Sequence, residues 1–177
     1  MASTLRRMLL LGLFVAGTAC AQSSLKLVVD AGNGHGRVRN TFVYGDCGGH
    51  DLSPAMHWHG APEGTRSFAL SVFDPDASNG KGWWHWIVID LPANVHGLAM
   101  DATLPAPARS LRNDFGHLRY DGPCPPAGDL PHHYVFTIYA LDVASLKLGA
   151  NASATQFQSA LSGHVRARAD AVFTYAR

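Results

Sequence analysis

The chain has 177 residues, with 14 Lys and Arg against 13 Asp and Glu, for a formal net charge of +1. Charge this balanced, without any run of one sign, excludes general electrostatic attraction to nucleic acid or to an anionic membrane surface. The length suits one domain with a real core.

Residues 1–21 read as a secretory signal. Arg6 and Arg7 are basic, Met8 to Val15 is an apolar run too short to span a bilayer, and Ala19-Cys20-Ala21 is a small-residue cleavage site before Gln22. Cleavage there leaves 177 − 21 = 156 residues and takes the formal charge to 12 − 13 = −1. The expected product is a periplasmic or secreted chain with one domain over residues 22–177. Cys20 offers a second reading, lipid attachment after cleavage just before it, but Gly17-Thr18-Ala19 lacks the Leu that usually stands three places upstream. No stable membrane anchor is expected unless Cys20 is lipidated.

Leu25 to Asp30 is a candidate edge strand. His57 and His59 stand at strand spacing on one face, and no third ligand nearby makes them a metal site. In Ser67 to Phe73 both alternating faces are apolar, which indicates a central strand covered on both sides. Trp84 to Leu91 and Val135 to Leu141 read the same way, and Ala171 to Tyr175 reads as a strand nearer an edge. Turn residues separate these runs at Pro62-Glu63-Gly64, Asn79-Gly80, Pro92-Ala93-Asn94 and from Gly122 to Pro131. Ser153-Ala154-Thr155-Gln156 fits a capping box opening a helix that Gly163 stops, and a second short helix is expected over Val165 to Ala169. Strands with a late helical appendage indicate a mostly β protein, an antiparallel β-sandwich with one or two short C-terminal helices.

Two loops carry the chemistry. The first, Asp74 to Trp86, gathers two carboxylates, a His and three Trp ahead of an apolar strand. The second, Gly122 to Tyr134, repeats the plan with Cys124, His132 and His133. Two His-bearing loops that feed core strands point to one shared pocket with polar groups inside aromatic walls. Asp76 reads as a turn residue bonding amides of its own loop. Cys47 and Cys124 are the two cysteines left after cleavage, and in an exported chain an even pair is most simply a disulfide. Unbridged, Cys124 is instead a candidate thiol nucleophile.

These segments resemble the phosphatidylethanolamine-binding protein family, and more closely its bacterial Raf-kinase-inhibitor-like branch. The matching motifs are Asp74-Pro75-Asp76, Trp84-His85-Trp86, Gly122-Pro123 and Pro125-Pro126, and His132-His133-Tyr134. Ser53-Pro54, Ala61 to Gly64, Asn113 to Gly116 and Gly163-His164 extend the likeness over residues 25–175. The resemblance implies a β-sandwich and an anion pocket made by Asp74, His85, Gly122, His132 and Tyr134, with Trp83 and Trp86 at its mouth. In that pocket His85, His132 and Tyr134 donate to a phosphate-like anion or phospholipid head group. Gly122 lets backbone N–H groups approach the ligand, and Asp74 accepts from an imidazole and keeps it partly charged.

The sequence departs from the family's pattern at Ser78, where many relatives have Pro, and at His133, where they have Arg. The expected function is non-enzymatic anion binding without a cofactor, with inhibition or modulation of a protein partner as an extension of it. The alternative is an acid/base or cysteine-dependent hydrolase using Asp74, His85 and an unbridged Cys124. The activated-serine pattern Gly-x-Ser-x-Gly is absent.

Overall fold

The structure, a computed structural model, describes residues 24–177. The expected signal segment and Cys20 therefore lie outside the described residues. Among the described residues there are eight strands: β1 (Lys26–Val29), β2 (Met56–His59), β3 (Ser67–Asp74), β4 (Trp83–Pro92), β5 (Gly97–Leu98), β6 (Arg109–Ser110), β7 (His132–Leu141) and β8 (Val165–Tyr175). They form a three-stranded sheet, β1-β2-β5, and a five-stranded sheet, β6-β4-β3-β7-β8. Every strand pair is antiparallel.

The long apolar strands β3, β4 and β7 occupy the middle of the larger sheet, and both of their faces are covered. On one face Phe68, Leu70, Val72, Val88, Phe136 and Ile138 pack toward Trp58 and Met56 of the smaller sheet. On the other, Ala69, Ile87, Ile89 and Leu141 pack against Phe157 and Leu161 of helix α2 (Ala154–Leu161). Burial on both sides explains why the alternation in these strands is apolar on both phases. The capping box of α2 forms as read: the Gln156 N–H donates to Ser153 Oγ at 3.2 Å, and the Ser153 N–H donates to Gln156 Oε1 at 2.9 Å.

One expected element is corrected. Val165 to Ala169 is not a helix but the first half of β8, which pairs with β7 from Leu141↔Val165 to His132↔Tyr175. The Ala and Arg residues there favour a helix locally, yet ladder pairing along the whole of β7 overrides that preference. His57 and His59 are both exposed on β2, opposite Val28 and Lys26 of β1. Among the described residues no helix is long and apolar enough to cross a membrane.

Candidate functional site

Strand order places the site. Because β3 lies between β4 and β7 and is antiparallel to both, its last residue, Asp74, pairs with Trp83 at the start of β4 and reaches His132 at the start of β7 through its side chain. At this end of the sheet lies a cavity of about 460 Å³, lined by Asp74, Asp76, Trp83, His85, Phe115, Cys124, Asp129, His132 and Tyr134, with Ala77 to Asn79 and Pro125-Pro126 at its sides.

Asp74 is buried and fully committed. Its Oδ2 accepts the Nδ1–H of His132 at 2.8 Å, and its Oδ1 accepts the backbone N–H groups of Asp76 and Ala77 at 2.9 and 3.1 Å. The imidazole it orients is therefore His132, and Nε2 is the ring nitrogen left for the cavity. The Asp76 side chain does not bond amides of its own turn. Its Oδ2 instead accepts both the backbone N–H and the ring Nδ1–H of His133, at 2.7 and 2.8 Å, tying the loop to β7. Burial alone would raise the Asp76 pKa, but the two His133 bonds outweigh it and hold the carboxyl below its ordinary value. Between these anchors runs the short turn α1 (Ala77–Gly80), in which Ser78 has φ 53°. Proline cannot take that angle, so this loop conformation admits the Ser at position 78 and excludes the Pro of the family's pattern.

His85 occupies a β-bulge. Phe73 pairs with Trp84 and Val72 with Trp86, leaving His85 as the extra residue of β4. A bulge shifts the side-chain phase of a strand and re-aims what it carries. Here it sends Trp84 to the α2 face, against Phe157, and Trp86 into the inter-sheet core, against Tyr120. Trp86 was expected at the mouth of the pocket. Instead it is buried, donates its Nε1–H to Ser110 Oγ at 2.9 Å, and does not line the cavity.

The His85 ring donates Nδ1–H to the carbonyl of Asp121 at 2.8 Å, so its Nε2 is also the free nitrogen. The Asp121 side chain, fully buried, is held by Asn113, His117 and Arg119 at 2.6 to 2.9 Å. Sequence reasoning missed Asp121, because its work on His85 is done by the backbone. Burial is the largest influence on the His85 ring and pushes its pKa below the ordinary 6.5, against the pull of Asp74 and Asp121. At His85, which Asp74 does not bond, desolvation outweighs the pull of that carboxylate.

Two donors in the cavity wall have no partner. The Tyr134 O–H and the Trp83 Nε1–H are both buried without a hydrogen bond among the described residues. Burial, then the charge of Asp74 and a contact with that carboxylate outside hydrogen-bond geometry, raise the Tyr134 pKa, so its proton stays in place as a donor. Phe115 completes the wall, edge-on to Trp83 and His85 at 5.6 and 5.3 Å and stacked on Tyr44 at 4.9 Å. It lies in a loop with no periodic signal. Only the Asn113-Asp114-Phe115-Gly116 motif hinted at it.

Gly122 has a different task from the one expected. Its N–H donates to Asp51 Oδ1 at 2.9 Å, and a Cβ there would lie 2.2 Å from the Phe42 carbonyl oxygen. It lets the chain pack against residues 42–44 behind the site, and it is not among the cavity's lining. Cys47 and Cys124 are bonded across 77 positions, with Cα atoms 5.7 Å apart. The bridge pins the Pro-rich wall of the cavity and leaves Cys124 without a free thiol. Asp74 pairs with His132 rather than with His85, and Cys124 is bridged rather than a free thiol. Among the described residues no group of three or more His, Cys, Asp or Glu is arranged to hold a metal ion.

A sandwich with a small cavity at the ends of its three central strands, walled by two His-Asp loops, defines the class of protein. Residues 32–176 match the phosphatidylethanolamine-binding protein family, and the chain belongs to it. The UPF0098 protein YbcL of Escherichia coli (strain K12) is 48% identical over 113 residues, which cover 60% of this chain and 62% of that relative's length. LppC of Mycobacterium tuberculosis, named as a candidate lipoprotein, is 40% identical over 129 residues, 73% of this chain and 62% of that one. The crystal structure of Escherichia coli YbcL superposes with a TM-score of 0.82 at 35% identity, covering 87% of this chain and 99% of that one. CT736 of Chlamydia trachomatis, described as a homologue of the same family, superposes with a TM-score of 0.75 at 30% identity, covering 88% and 99% of the two chains.

Proposed function

We propose that the cavity captures a small phosphate-like anion, free or as the head group of a larger ester, and does no chemistry on it. The observation that carries this reading is the pair of buried, unpartnered donors, Tyr134 O–H and Trp83 Nε1–H, in the wall of one cavity. A buried donor without an acceptor is costly, and an anion oxygen would relieve both. The two imidazoles add proton-dependent contacts. With Nδ1–H committed, a neutral ring offers Nε2 as an acceptor, suited to a protonated phosphate oxygen, and a protonated ring offers a charged donor.

The protein acts, on this reading, outside the cytoplasm. The signal-like N-terminus, the Cys47–Cys124 bridge and the lipoprotein designation of the mycobacterial relative support export.

Calorimetric titration with inorganic phosphate, with phosphoethanolamine and with phosphatidylethanolamine vesicles tests the binding reading and separates its sources. Binding of the two soluble ligands alone indicates a free-anion site, and binding of vesicles as well indicates head-group capture. No saturable binding of any of the three removes the reading.

A further inference from the structure

The cavity holds three carboxylates, and two are tied to the Nδ1–H of an imidazole: Asp74 to His132, with two amides besides, and Asp76 through Oδ2 to His133. The third is Asp129, half exposed on the Pro-rich loop at the mouth. Among the described residues the one basic group within 4 Å of its carboxylate is Nε2 of His132, at 3.7 Å. That nitrogen is the one His132 atom left to meet a ligand, since Nδ1 is bound to Asp74.

We infer that Asp129 is a specificity-determining residue: its carboxylate occupies the place beside His132 Nε2 that an incoming anion must take. The inference rests on the anion-capture reading of the same cavity. A bare anion entering the site meets the Asp129 charge at close range, and two like charges a few ångströms apart near a protein surface repel strongly. Either the loop swings the carboxylate aside or the anion binds weakly. A ligand with a cationic group next to its anionic one escapes most of that penalty, because the cation faces Asp129 while the anion reaches the donors. Asp129 thus biases the pocket against simple anions and toward zwitterionic ones.

The consequence runs against the usual effect of removing a polar wall residue. Asp129→Asn, which keeps shape and removes charge, is expected to bind inorganic phosphate roughly tenfold more tightly than the wild type at low salt. The gain shrinks as added salt screens the pair. Phosphoethanolamine gains less, so the wild type's preference for it over phosphate contracts. Asp129→Ala repeats the result if the charge, rather than a contact of Asn, is responsible. The half-exposed position makes both variants safe to fold, checked by an unchanged melting transition.

Calorimetry on wild type, both Asp129 variants and His132→Ala separates the outcomes. Tighter phosphate binding in both Asp129 variants supports the inference. Unchanged or weaker binding there, with phosphate binding lost in His132→Ala, overturns the role of Asp129 and leaves the pocket reading standing. Phosphate binding that survives intact in His132→Ala, or is absent in every protein, overturns both.

Discussion

The carboxylate of Asp74, at the end of β3, accepts the Nδ1–H of His132, at the start of β7, across 2.8 Å in a buried setting. One hydrogen bond thus joins the two motifs that stood 58 positions apart in the sequence and fixes which imidazole nitrogen faces the cavity. The same carboxylate caps the turn that follows it.

Asp74→Ala is expected to destabilise the fold by about 3 kcal/mol, because it strands a buried imidazole and two backbone N–H groups. Asp76→Ala breaks the exposed pair with His133 and is expected to stay within about 1 kcal/mol of wild type, since solvent screens that pair. Urea unfolding of both variants measures the contrast. Equal losses would mean that the two Asp residues share one structural role.

The low pKa of His85 has a signed consequence for stability. The folded ring binds protons less readily than the unfolded one, so the unfolded state is favoured as pH falls below the ordinary imidazole value of 6.5 toward the lower folded value. Above 6.5 this contribution is fully in place. His85→Asn, which cannot titrate, is expected to lose less stability than wild type between pH 7.5 and pH 5. Parallel melting curves for the two proteins would contradict the assignment.

Much of this architecture was legible before the structure. The two-sided apolar pattern of Ser67 to Phe73 and its neighbours reports burial directly, and the Ser153–Gln156 box reports a helix start through its own hydrogen bonds. What escaped depends on tertiary geometry. Trp86 left the pocket because one extra residue at His85 changed the phase of β4, and periodicity cannot see a bulge. Val165 to Ala169 is a strand because its partner β7, not its own composition, decides its conformation. Asp121 and Phe115 act from loops, the one through its backbone carbonyl and the other through its ring face.

Gly122 illustrates the same limit and yields a test. Gly122→Ala places a methyl group against the rigid backbone of residues 42–44, with roughly 2–4 kcal/mol of lost stability expected. Gly34→Ala, where a Cβ meets open space, serves as the control and is expected near zero. Unfolding by denaturant compares them. A tolerated Gly122→Ala would mean that the close approach of the two segments is wrong.

The disulfide closes a long loop, and replacing both cysteines by Ala is expected to lower stability by about 4 kcal/mol in the chain-entropy account. Alkylation under denaturing, non-reducing conditions should label neither Cys47 nor Cys124 in wild type, and mass spectrometry reads the result. Two labelled thiols would contradict the bridge.

The most direct test of anion capture is calorimetric titration of inorganic phosphate into wild type and Tyr134→Phe at pH 6. The variant removes one oxygen, whose O–H meets Asp74 only outside hydrogen-bond geometry, so its stability is expected to stay near that of wild type. Wild type is predicted to bind phosphate at one saturable site. Loss of a hydrogen bond to a charged ligand is predicted to weaken the variant by about 1.5–3 kcal/mol, at least tenfold in affinity. Equal affinity in the two proteins would place the anion somewhere other than this cavity.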